Sequence, residues 1–117
     1  MIEEQMISLR QEIAEIDASL LRNIAARRDC VEKLAYLKFK NDLPVRHCEI
    51  EKSIFERNVK RGDLLGLNRE LVEILTNLLI EDAVSIQEKL HTNLTGKDPM
   101  RQTEKSMTSS EVEGSTS

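Results

Sequence analysis

From Ile2 to Asn41 the chain contains neither proline nor glycine, and apolar residues recur there at steps of three and four. The series runs Ile2, Met6, Leu9, Ile13, Ile16, Leu20, Ile24, then Arg27, Val31, Leu34 and Lys38. That period is the seam of a buried helix. It predicts one helix of about 60 Å at 1.5 Å per residue. Arg27 and Lys38 occupy seam positions, where a cation is costly to desolvate unless an anion meets it. Either the protein supplies that anion or a ligand does.

Pro44 ends the first helix, because proline and the residue before it resist helical geometry. A second helix is expected from about Arg46 to Leu64, with Ile50, Ile54 and Val59 among its apolar positions and Gly62 and Gly66 bracketing a frayed end. Asn68 is a good N-cap for a third, with Glu70 in the first turn where the helix dipole favours an anion. This helix carries Leu71, Ile74, Leu75, Leu78, Leu79, Ala83, Ile86 and Leu90. No stretch alternates with the two-residue period of a strand, so the expected fold class is all-α with three helices per chain. With no Trp, one Tyr and two Phe, the core must be aliphatic. Residues 1–95 are expected to form the helical domain. Residues 96–117 are almost devoid of apolar side chains and are expected to be a disordered polar tail.

The net charge of -4 and the lack of a basic tract argue against nucleic acid as a partner. Cys30 and Cys48 make neither a metal cluster nor a disulfide framework. Glu3, Glu4 and Arg10 interrupt any signal-peptide core, and no run reaches membrane-span length. A cytoplasmic protein is the expectation. The first helix overshoots a compact body of this size, whose radius of gyration scales to about 12–13 Å. Its projecting apolar half would be exposed in a monomer, and a homodimer with the long helices packed together resolves this.

Arg27 and Lys38 lie about three turns apart on one helix side and can bracket a small anion. Arg10 is about 25 Å before Arg27 along the axis, too far to share a small ligand within one chain. In an antiparallel dimer it can reach the partner's Arg27–Lys38 region. Each residue also has a plainer explanation. Arg27 can pair internally with Glu51, Asp82 or another acid, and Lys38 can snorkel to water. Arg10 can pair at the surface with Glu3 or Asp17, and Gln87 can be a satisfied structural amide. Nothing in its own chemistry separates Glu51 from Glu49 or Glu56. The residues alone reach a helical dimer with a small-anion site.

The run LRQEIAEIDASLLRNIAARR, then LKFKNDLPV, then GLNRELVEILTNLLIEDAVSIQ, resembles the all-helical chorismate mutases over roughly residues 6–91. The resemblance implies an intertwined homodimer that rearranges chorismate to prephenate, in aromatic amino-acid biosynthesis, without a cofactor. It implies that Arg10, reaching in from the partner subunit, and Arg27 hold the substrate's carboxylates. Lys38 is implied to contact a carboxylate and the ether oxygen, Gln87 to be the other ether-oxygen donor, and Glu51 to take the ring hydroxyl. A reaction that breaks one C–O bond as a C–C bond forms needs no nucleophile or proton transfer. It needs orientation and donors aimed at charge growing on the ether oxygen.

Three positions depart from the family's common pattern. Ile50 stands where many members have an arginine before the glutamate, and Ala83 replaces a serine that helps bind substrate. His47 stands where a polar or acidic residue often flanks the hydroxyl side. An isochorismate-pyruvate lyase on the same fold is the nearest rival, and Glu51 favours the mutase. A non-catalytic helical dimer descended from the family is the other alternative. A glutamate placed at position 87 is expected to have a raised pKa, from burial and partly anionic surroundings.

Overall fold

The computed structural model describes residues 1–96. Three helices follow in order: α1 (Ile2–Lys40), α2 (Cys48–Leu64) and α3 (Arg69–Thr95), with no strand among the described residues. The tail expected from residue 96 onward falls, beyond Gly96, outside the described residues.

Each helix ends where local chemistry dictates. After α1, Asp42 takes a left-handed backbone (φ 56°), and the Leu43 amide donates back to the Lys38 carbonyl at 2.8 Å. Aspartate is among the few non-glycine residues that tolerate this region. The second helix starts two residues later than expected. His47 takes the extended N-cap conformation, and its Nδ1 accepts the Ile50 amide at 3.2 Å, which leaves Arg46 in the connection. Asn68 caps α3 as expected, its Oδ1 accepting the Leu71 amide at 2.9 Å.

Gly62 and Gly66 bracket the end of α2, as expected, and Gly62, in the last helical turn, is also buried. A Cβ there would sit 2.6 Å from a Val72 methyl, so only glycine lets α2 approach α3 this closely. Gly66, at φ 73°, supplies the left-handed residue of the turn between them.

The third helix is the shared wall. Both α1 and α2 pack on α3, and they do not pack on each other. Arg27 meets Leu79 and Lys38 meets Gln87, so α1 and α3 run in the same sense. Asn58 meets Thr76 and Arg46 meets Glu81, so α2 runs against α3. Val31, Ala83 and Ile86 form a buried aliphatic cluster, and Ile54, Val72 and Ile80 are buried as well.

One chain is not compact. Its radius of gyration is 18.3 Å and it extends 65 × 28 × 19 Å. The excess is the N-terminal half of α1, where Met6, Leu9, Ile13, Ile16 and Leu20 are 43–60% exposed. No helix among the described residues is long and apolar enough to cross a membrane.

Candidate functional site

Lys38 enters from the last turns of α1 and is 3% exposed. That removes the explanation by which its ammonium snorkels to water. Its Nζ donates to the Val45 carbonyl at 2.8 Å and to Gln87 Oε1 at 2.7 Å. Burial pushes its pKa down to about 8, and the negative charge of Glu51 opposes the shift. Gln87, 2% exposed on α3, donates from Nε2 to the Ala83 carbonyl at 3.0 Å. An ammonium has three N–H donors and an amide two. The bonds described leave one N–H on each for a further acceptor.

Arg27 lies three turns earlier on α1. Its guanidinium donates to the Leu79 carbonyl at 3.1 Å. Burial lowers its pKa, the nearby Asp82 carboxylate raises it, and the like charge of Arg57 lowers it again. Arginine remains charged at any working pH. Asp82 itself forms a half-exposed ion pair with Arg28 at 3.0 Å.

Glu51 lies in the first turn of α2, half-buried where Glu49 and Glu56 are exposed. That difference separates the three glutamates, which the sequence did not. Both carboxylate oxygens accept from Arg46: Nε donates at 3.0 Å and a terminal nitrogen at 2.8 Å. The same guanidinium donates to Glu81 of α3 at 2.9 Å. Hydrogen bonding to Glu51 raises the pKa of Arg46 further above its already high ordinary value. Arg46 was not among the sequence candidates. One signal was available: a cation beside a helix N-terminus opposes the dipole and calls for acids around it.

Lys38, Gln87 and Glu51 thus come together from three helices, with Arg27 on the same side of α1. His47 and Ala83 serve local structure in the free chain. The capping bond occupies Nδ1 of His47 and leaves Nε2 for any other partner. The Ala83 side chain is fully buried beside Val31 and Ile86, and its carbonyl holds Gln87. Ile50, half-buried in the same turn, adds no charge. Arg10 is not brought to this group. It is exposed in the projecting half of α1, about 25 Å along the helix from Arg27.

Arg27, Lys38 and the Gln87 amide, with the half-buried Glu51 carboxylate beside them, suit a small anion that also carries a hydroxyl. No group of three or more His, Cys, Asp or Glu among the described residues is disposed to hold a metal ion. Cys30 and Cys48 are both free and exposed.

Comparison with known proteins adds a family. Residues 9–88 match the family described as chorismate mutase type II. A bifunctional chorismate mutase/prephenate dehydratase of Buchnera aphidicola subsp. Schizaphis graminum is 35% identical over 85 residues, covering 73% of this chain and 22% of that protein. The bifunctional chorismate mutase/prephenate dehydratase of Escherichia coli is 31% identical over 88 residues, covering 75% of this chain and 23% of that protein. The chain therefore spans less than a quarter of the length of these curated relatives.

Proposed function

The chain belongs to the type II chorismate mutase family, and from that premise we propose that it rearranges chorismate to prephenate as a cytoplasmic homodimer, with no cofactor. The observation that carries this reading is the buried pair of donors. Lys38 and Gln87 are hydrogen-bonded to each other and each retains an N–H for a common acceptor. The ether oxygen of chorismate is such an acceptor, and it gains negative charge only as its C–O bond lengthens. Donors fixed in advance stabilise that charge more than they stabilise the ground state.

The remaining residues bind and fold the substrate. Arg27 pairs with a carboxylate, and the Lys38 ammonium contributes to carboxylate binding before it serves the ether oxygen. Glu51 accepts the ring hydroxyl. Arg10 of the partner subunit completes the carboxylate site, with His47 and Ala83 at its margin. Holding the flexible dianion in its compact reactive conformer supplies the orientation that an intramolecular reaction needs.

The exposed seam of α1 supports the dimer. Fully burying one Leu or Ile contributes roughly 1.5–3 kcal/mol. Five such apolar side chains remain about half exposed on each chain, enough to favour association of the two projecting halves.

Incubating the purified protein with chorismate tests the reading, with absorbance followed and the product identified. Loss of chorismate with formation of prephenate is expected. Turnover of isochorismate instead would assign the site to the lyase, and turnover of neither would remove the enzymatic reading.

A further inference from the structure

Three consecutive residues between α1 and α2 each hold a different part of the site. The Val45 carbonyl accepts from Lys38, the Arg46 guanidinium holds Glu51, and the His47 ring caps the helix that carries Glu51. Arg46 does more than pair with a neighbour. It engages both oxygens of Glu51 and also reaches Glu81, so one side chain ties the connection to α2 and α3. The Glu51 side chain is 16% exposed, whereas that of Glu81 is 63% exposed. The inner carboxylate is held, and the outer one anchors the holder.

We propose that Arg46 is a positioning residue that presents Glu51 to the ring hydroxyl of the substrate and so sets the preference for a hydroxylated ring. The proposal rests on the mutase reading of the site. A carboxylate offers about four lone-pair positions, and a two-pronged guanidinium contact uses one on each oxygen. The others stay available to an incoming O–H. The planar fork also stops the carboxylate from rotating, which a single ammonium contact does not do. Arg46 touches no substrate. It acts through Glu51, and Glu81 fixes it against the wall that carries Gln87.

A residue that merely stabilised the fold would affect every substrate alike. The test therefore compares kcat/KM for chorismate with kcat/KM for its analogue bearing hydrogen in place of the ring hydroxyl. Wild type, Arg46→Ala, Arg46→Lys and Glu81→Gln are measured, with helical content and thermal melting recorded for each. Wild type is expected to prefer chorismate. Arg46→Ala should lower kcat/KM for chorismate by about tenfold and leave the analogue within about twofold, collapsing the preference. Arg46→Lys should recover part of it, and Glu81→Gln should give a smaller loss in the same direction. If Arg46→Ala fails to fold, Arg46→Lys carries the comparison, with partial loss of preference expected. Equal losses on both substrates, or an unchanged preference, would overturn the proposal while leaving the mutase reading intact. A folded wild type that turns over neither compound removes both.

Discussion

The two halves of α1 share one periodic seam and have opposite surroundings. From Val31 onward the seam is covered by α3, and a lysine in it is 3% exposed. Before Ile24 the same pattern of Leu, Ile and Met faces outward, with Ile16 60% exposed. Periodicity states which face of a helix is to be buried and is silent about what buries it. In the C-terminal half, α3 of the same chain is the partner and the seam's cations become a site. In the N-terminal half no other helix among the described residues covers the seam, and Arg10 lies on that exposed stretch.

Lys38→Ala should produce the largest effect on this contrast. On the proposed reading, removing the buried ammonium takes away both an ether-oxygen donor and a carboxylate contact. A fall in kcat/KM of at least about 10³-fold is expected, with much of it in kcat. Steady-state kinetics on the folded variant measures it, and a tenfold effect or less would mean that Lys38 is structural.

Mixing inactive variants relates the two halves directly. Arg10→Ala and Lys38→Ala should each be nearly inactive alone. Unfolded and refolded together, they should recover up to about one quarter of wild-type activity, since half of randomly paired dimers are hybrid and each hybrid has one intact site. No recovery in the mixture would place Arg10 outside its partner's site. Ile16→Asp should act on the open half alone, leaving helical content intact and shifting sedimentation toward monomer. Val31→Ala in the covered half should instead lower stability by about 1–3 kcal/mol in chemical denaturation.

Gln87→Glu sharpens the comparison through pH. An ionised carboxylate repels charge growing on the ether oxygen, so activity should be poor at neutral pH and rise as pH falls through the new group's pKa. Burial and partly anionic surroundings raise that pKa, which was the expectation from sequence. The structure adds an opposing cause: the Lys38 ammonium lies 2.7 Å from the oxygen this carboxylate would inherit and pulls the pKa down. Recovery therefore begins at lower pH than burial alone predicts. A pH–rate profile identical to wild type would disconnect Gln87 from the ether oxygen.

The smallest effect belongs to the wild type itself. With Lys38 lowered to about 8, the free protein loses its ammonium as pH rises through that value. kcat/KM, which reports the free enzyme, should then fall above about pH 8. kcat should hold to higher pH, because a bound anion favours the charged form. The stability change has the opposite sign. Between about pH 8 and the unfolded value near 10.5 the unfolded chain binds more protons, so this group makes the fold gain stability as pH rises.

Much of this was legible in the sequence because it depended on local chemistry. Asn68 announces its helix by a cap, and Arg27 and Lys38 stand out because a periodic seam makes a cation conspicuous. What escaped was set by contacts between helices. Asp82 forms an ion pair with Arg28 and also acts on the neighbouring Arg27, a sharing between adjacent positions that no pattern of hydropathy resolves. Arg46 clamps Glu51 across a helix start and Glu81 across 35 residues of chain. Long flexible side chains find such partners only when the backbone is already in place. Gly62 marks the helix end, as its position suggests, but its close contact with Val72 was not legible, because a missing side chain leaves no trace in periodicity.

That contact works as a fulcrum. Gly62 meets Val72 near one end of α2, and Glu51 lies near the other, about 16 Å away at 1.5 Å per residue, with Arg46 in the connection beyond it. A methyl at position 62 would start 2.6 Å from the valine, where ordinary contact begins at 3.4 Å. The correction of a fraction of an ångström at the pivot becomes a swing at the far end of a rigid rod. A side chain at position 62 would thus push on the helix whose other end carries Glu51, the partner of Arg46. The geometry around a candidate site can be disturbed from a residue at the far end of the helix that carries it.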